Sequence, residues 1–192
     1  MSGAPMSIRT MTRNEVDLAI DRAAAEGWNP GVNDAACFHA ADPEGFLVGS
    51  VDGEPVATIS AVRYGATFGF VGLYIVQPGW RGRGYGMQVW NAALARLAGR
   101  TIGLDGVVAQ QANYRKSGFA LAYRNMRYAG TSPGVGPIDA RIVPLSSRPF
   151  AEVAAYDRAF FPDDRTAFLR AWLMQPKCKA YAVVRGGGLA GY

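Results

Sequence analysis

The densest chemistry in this sequence lies in Gln77-Pro78-Gly79-Trp80-Arg81-Gly82-Arg83-Gly84-Tyr85-Gly86. An apolar run, Phe68 to Val76, precedes it and reads as a buried strand. Met87 to Ala98 follows, with apolar residues at helical spacing. A glycine-rich turn between strand and helix presents backbone N–H groups at the positive end of the helix dipole, a cradle for phosphate or pyrophosphate. Arg81 and Arg83 add formal charge there. No Gly-Lys-Ser/Thr follows, which excludes the lysine-bearing nucleotide loop. The Gly82-x-Gly84-x-Gly86 spacing departs from G-x-G-x-x-G, although Asp105 stands where a ribose-binding acid would be wanted.

The elements that must position this turn follow from periodicity and punctuation. Ile8–Met11 reads as a first strand, and Asn14 as the cap of a helix from Glu15 to about Glu26. Gly27-Trp28-Asn29-Pro30-Gly31 ends that helix, and a second runs from Asp34 to Ala40. Gly45–Val51 and Pro55–Tyr64 form a hairpin about Asp52-Gly53. After the turn and its helix come a strand at Thr101–Leu104, a helix at Gln110–Ser117 and a strand at Ala120–Tyr128. The order is β-α-α-β-β-β-α-β-α-β, an α/β class with a mixed, largely antiparallel sheet and helices packed on it.

The chain has 192 residues, 49% hydrophobic and 18% charged, which suits a packed globular protein. Its net charge of +5 favours anionic partners, but the basic residues are dispersed, so a polyanionic small ligand fits better than nucleic acid. No apolar run approaches the roughly 20 residues of a membrane span, and no secretory signal opens the chain. Cys37 and Cys178 make no disulfide framework and fit a cytoplasmic protein with reduced thiols. His39 is the lone histidine and has no company for a metal site.

Two stretches carry a family resemblance. Arg81-Gly82-Arg83-Gly84-Tyr85-Gly86 matches the Q/R-x-x-G-x-G/A signature of the GNAT superfamily of acyl-CoA-dependent N-acyltransferases, and Tyr114-Arg115-Lys116-Ser117-Gly118-Phe119 resembles its Y-x-K-x-G-F signature. The resemblance covers residues 6–129. It implies that acetyl-CoA is the acyl donor, held at the pyrophosphate by Arg81, Gly82, Arg83, Gly84, Tyr85 and Gly86. The backbone of Tyr74, Ile75 and Val76 would pair with the pantetheine arm, with Asn113 and Gln110 as polar partners. Tyr114 falls where the family places its general acid. Val107 stands where the family often carries an asparagine. The acceptor, a small-molecule or peptide amine, would be walled by Trp28, Asn29, Asp34 and Phe38. The general base is left among Asp34, Glu44, the Tyr74 hydroxyl and a water relay. Two rival readings stand beside an acetyltransferase: a non-catalytic acyl-CoA-binding or sensor domain, and a dinucleotide-dependent oxidoreductase resting on the glycines and Asp105. Self-association is left open.

Gly130–Pro137 reads as a linker, placing domain limits at 1–130, 131–138 and 139–192. Beyond it the order strand, helix, helix, hairpin recurs at an offset of about 133, with Pro176 answering Pro43. The second unit is expected to be the opening part of a divergent GNAT-like domain. The resemblance is then to a tandem protein whose second copy is truncated, or one whose half-copy leans on a neighbour to fold.

Overall fold

The computed structural model describes residues 5–131, 134 and 139–192. Five strands, β1 (Ser7–Thr10), β2 (Phe46–Val51), β3 (Glu54–Tyr64), β4 (Phe68–Val76) and β5 (Thr101–Leu104), form one sheet in sequence order. The first three junctions are antiparallel; β4 and β5 run parallel. Helix α3 (Tyr85–Arg96) supplies the crossover that a parallel pair requires.

Alternation along the strands decides which helix lies on which face. Ala57, Ile59 and Ala61 of β3 meet Val89, Trp90, Ala93 and Leu97 on the α3 side. Phe46, Val48 and Val62 point the other way, toward α1 (Arg13–Ala25) and α2 (Asp34–Ala41). Each such fully buried aliphatic or aromatic side chain contributes about 1.5–3 kcal/mol. The α1 cap is Thr12, not the expected Asn14: Thr12 and Glu15 hydrogen-bond each other's backbone amides in a capping box. Asp52 and Gly53 take φ of 50° and 82°, the two left-handed residues of a type I′ hairpin turn.

The expected strand at Ala120–Tyr128 is not formed. Residues 119–131 are neither helix nor strand, and Leu121, Tyr123, Met126 and Tyr128 are exposed. A strand needs a ladder partner, and among the described residues none lies against this segment. It is tied down by Asn125 donating to Asp105 at 3.2 Å and Arg127 donating to the Trp28 carbonyl at 3.2 Å.

The second unit holds β6 (Ile142–Pro144), α5 (Phe150–Arg158), α6 (Thr166–Leu173), β7 (Tyr181–Arg185) and β8 (Gly188–Gly191). Its strand pairing repeats that of the first unit with every residue number raised by 134, one more than the sequence offset. Ile8↔Gly49 becomes Ile142↔Val183, and Ser50↔Pro55 becomes Val184↔Leu189, register irregularity included. The hairpin turn therefore answers at Gly186-Gly187, both with positive φ. Side-chain identity hid that one-residue difference. The expected linker, 131–138, falls mostly outside the described residues.

The units pack through aromatic side chains. Phe38 of α2 stacks on Phe168 of α6 with centroids 5.8 Å apart, and Phe161 stands edge-on to Tyr64 and Phe68. The Asp163 carboxylate accepts the Thr67 amide and hydroxyl at 2.6 and 2.7 Å. These contacts place α6 and the segment before it directly against the first unit. No helix among the described residues is long and apolar enough to cross a membrane.

Candidate active site

The site is built where the sheet opens. Pairing between β4 and β5 ends at Val71↔Leu104, so from Gly72 to Val76 strand β4 is laddered on its β3 side alone. Along the same stretch Leu73 and Tyr74 together oppose Ile59, a bulge in the strand. Leu73 takes φ of 48°, a conformation costing a branched residue about 1–3 kcal/mol. The Thr58 hydroxyl donates to the Leu73 carbonyl at 3.1 Å and helps hold it there. Backbone groups beside a split strand can take an amide-bearing ligand as an added strand. No sequence signal marked Leu73; its strand reads as an unbroken apolar run, and only the β3 register exposes the bulge.

The glycine turn lies directly beyond. Gly82 and Gly84 adopt φ of 74° and 84°, and a Cβ on either would meet nothing within 4 Å, so conformation demands glycine there. Gly84 is the N-cap of α3, whose dipole aims at the turn. Gly86 is glycine for a different reason: a Cβ there would come 2.6 Å from the Tyr74 hydroxyl oxygen. Absence of that methyl lets the start of α3 close onto β4. The Tyr85 side chain is buried and edge-on to Trp80, so its offer to a ligand is restricted to backbone.

The two arginines diverge. Arg83 lies over the Trp80 ring at 5.1 Å, at the surface of the turn. Arg81 turns back: its Nε donates to the Val76 carbonyl at 2.8 Å, and its guanidinium ion-pairs with Glu26. Of the expected backbone partners, the Val76 carbonyl is thus already engaged, while Tyr74 and Ile75 carry the bulge and its exit.

Tyr114 sits on α4 (Gln111–Lys116), within the Trp90, Tyr74 and Phe119 cluster. Its ring centroid is 6.0 Å from that of Trp90, and Tyr74 packs against Trp90 at 5.3 Å. Burial pushes the Tyr114 phenol above its ordinary pKa, with a Val107 backbone hydrogen bond pulling the other way. Burial, and then the nearby Tyr114, push Tyr74 up as well. Burial thus disfavours the phenolate form of both side chains. Asn113 donates to the Gln110 side chain at 2.6 Å, so these two expected ligand contacts bind each other.

The expected acceptor-side residues have these surroundings. Phe38 is committed to Phe168 in the contact between units. Asp34 accepts the Gly31 amide at 2.8 Å and closes its own loop. Asn29 takes φ of 50°, and Trp28 is 37% exposed. Glu44 is largely exposed, 3.7 Å from Arg96. Cys37 is buried, which raises its thiol pKa, and is no reactive thiolate. Among the described residues no group of three or more His, Cys, Asp or Glu could hold a metal. A pocket of about 170 Å³ lies between the units, lined by Arg63, Tyr64, Arg165 and Phe168, and shares no residue with the turn.

Residues 14–119 match the model of the Acetyltransferase (GNAT) family. The chain is 32% identical over 177 residues to holothin acyltransferase of a Pseudoalteromonas species, covering 92% of this chain and 60% of that protein. It thus spans well under two thirds of that relative's length. Its fold is similar to a candidate acetyltransferase from Pyrococcus horikoshii, with a TM-score of 0.78 and 21% identity over 98% of this chain and 71% of that one. A candidate acetyltransferase from Clostridium acetobutylicum, solved with acetyl-CoA, covers 65% of this chain and 96% of its own, at a TM-score of 0.53 and 14% identity.

Proposed function

Because the chain belongs to the acetyltransferase (GNAT) family, we propose that it moves an acetyl group from acetyl-CoA to a primary amine by direct attack. Family membership removes the oxidoreductase alternative, and Asp105 is occupied with Asn125. The observation that carries the reading is the open edge of β4 from Gly72 to Val76, which begins at the glycine turn and runs toward the Tyr74–Trp90–Tyr114 cluster. Acetyl-CoA supplies an activated thioester. The left-handed turn at Gly82 and Gly84 and the α3 dipole hold the pyrophosphate, with Arg83 nearby; Arg81 joins only by leaving Glu26.

In the reaction the amine nitrogen bonds to the thioester carbonyl carbon, the carbon–sulfur bond breaks, and the departing thiolate takes the Tyr114 phenolic proton. The proton released by the amine leaves through solvent. The phenol, whose ordinary pKa of about 10 lies above a thiol's of about 8.5, stays protonated until the sulfur leaves, gives its proton in a step uphill by that gap, and is reprotonated from solvent before the next turnover. A backbone amide at the bulge stabilises the charge that develops on the carbonyl oxygen. The named relative makes holothin the first acceptor to assay, followed by small amines and peptide N-termini.

Residues 139–192 are proposed as the opening part of a second GNAT-like domain, on the strength of the pairing repeated at 134 residues. The glycine turn and Tyr114 both belong to the first unit, and the proposed catalysis is placed there.

The test is binding and turnover together. Acetyl-CoA raises the melting temperature and NAD does not; Tyr114→Phe keeps the acetyl-CoA affinity and lowers kcat by about 10²-fold or more. Unchanged turnover in Tyr114→Phe would remove the acid. Binding without CoA release across the amine panel would favour the non-catalytic binding domain.

A further inference from the structure

Gly106 lies two residues beyond β5, in the loop that leads to α4. Its φ lies outside the left-handed range, so its backbone conformation is open to any residue. Space is what demands glycine. A Cβ at this position would fall inside contact distance of Tyr114 Cε2, 2.8 Å from Tyr114 Cδ2 and 3.0 Å from Leu104 Cδ1. The Tyr114 ring rests against the bare Gly106 backbone and also lies near Trp90, 30° from parallel. Two neighbours, one missing a side chain and one large and 4% exposed, therefore set where the phenol can sit.

Tyr114 gets little placement from its own helix. Helix α4 has six residues, of which Ala112, Asn113, Arg115 and Lys116 are exposed, and the Asn113 side chain beside Tyr114 donates to Gln110. A short surface helix cannot by itself hold a side chain to the sub-ångström tolerance that proton transfer requires. We infer that Gly106 is a positioning residue for Tyr114: the absent side chain is the slot in which the phenol ring lies. The arrangement parallels Gly86, whose missing Cβ makes room for the Tyr74 hydroxyl. Two space-demanding glycines thus accommodate the two phenols that pack on Trp90. This inference rests on Tyr114 being the acid for its catalytic consequence, but not for its geometric one.

The experiment has two arms. In the first, the ring-proton resonances of Tyr114, assigned by comparison with Tyr114→Phe, are followed by NMR in the full chain. Trp90 shifts them from free-tyrosine values, and Gly106→Ala returns them toward those values while far resonances such as those of Tyr156 stay in place. Unmoved Tyr114 resonances would overturn the inference, whatever the chain acylates. The second arm measures CoA release with acetyl-CoA and holothin. Gly106→Ala lowers kcat about tenfold with the KM for acetyl-CoA unchanged, and costs nothing further in a Tyr114→Phe background, since no hydroxyl remains to misplace. An equal loss in both backgrounds would show that Gly106 acts by another route and overturn its positioning role. Loss in Tyr114→Phe with none in Gly106→Ala would do the same while leaving the acid in place. No loss in Tyr114→Phe would instead remove the acid, with the NMR arm still deciding the geometry.

Discussion

Replacing Gly86 by alanine tests how the glycine turn is joined to the strand it serves. Gly86 is the second residue of α3 and needs no unusual backbone angle, so alanine should improve helix propensity by up to about 1 kcal/mol. Its Cβ, however, would stand 2.6 Å from the Tyr74 hydroxyl oxygen and 3.2 Å from Val76 Cγ2. The first distance is more than half an ångström short of van der Waals contact. Tyr74 is held by Trp90, so the ring or the helix start must shift, an overpacking cost of about 1–3 kcal/mol. The net expectation is a loss of about 1 kcal/mol, or about 2–4 °C in a chain of this size. Removing the hydroxyl reverses the balance. In a Tyr74→Phe background the next atom of residue 74, Cζ, lies at an ordinary 3.5 Å, and only the Val76 contact remains tight. Gly86→Ala is then neutral or slightly stabilising. Urea unfolding of the four proteins, with m unchanged, gives a coupling of at least about 1 kcal/mol. Equal destabilisation in both backgrounds, or none in either, would refute the assignment of Gly86 to close approach.

Two further outcomes follow from ion pairs. Asp42 accepts Arg96 at 2.8 and 2.9 Å and the Arg63 amide at 2.9 Å, with both charged side chains at most 16% exposed, so Asp42→Ala should cost up to about 3 kcal/mol in urea unfolding by leaving Arg96 only the exposed Glu44, at 3.7 Å, as counter-charge. Hydrogen bonds from Arg9 and then the Thr12 amide hold Glu15 down to about 2, against an ordinary 4.5. A folded-state value below the unfolded one stabilises above about pH 4.5 and is lost as pH falls toward 2. Glu15→Gln should therefore be less stable than the parent at pH 7, with the difference vanishing across that window in pH-dependent thermal melts.

Much of the scaffold was legible because its signals are local. Asp52-Gly53 announces a type I′ turn wherever it falls between apolar runs, and the strands on either side ended within a residue of expectation. The glycine turn and Tyr114 were readable for the same reason, as short contiguous motifs. The expected strand at Ala120–Tyr128 failed because a strand is a property of a pair. Its alternating, β-prone residues have no partner among those described. The partners of Phe38 and Arg81 were unreadable for a related cause: Phe168 and Glu26 lie 130 and 55 residues away.

The sequence alone determined the order of elements as far as α4, the family resemblance and the position of the glycine turn, since each rests on residues within a few places of one another. The bulge at Leu73, the split between β4 and β5, and the separate reasons for glycine at 84, 86 and 106 were decided by tertiary structure. Those are statements about distances between segments far apart in the chain, and a glycine looks the same in sequence whether it is wanted for its backbone angle or for the space it leaves empty.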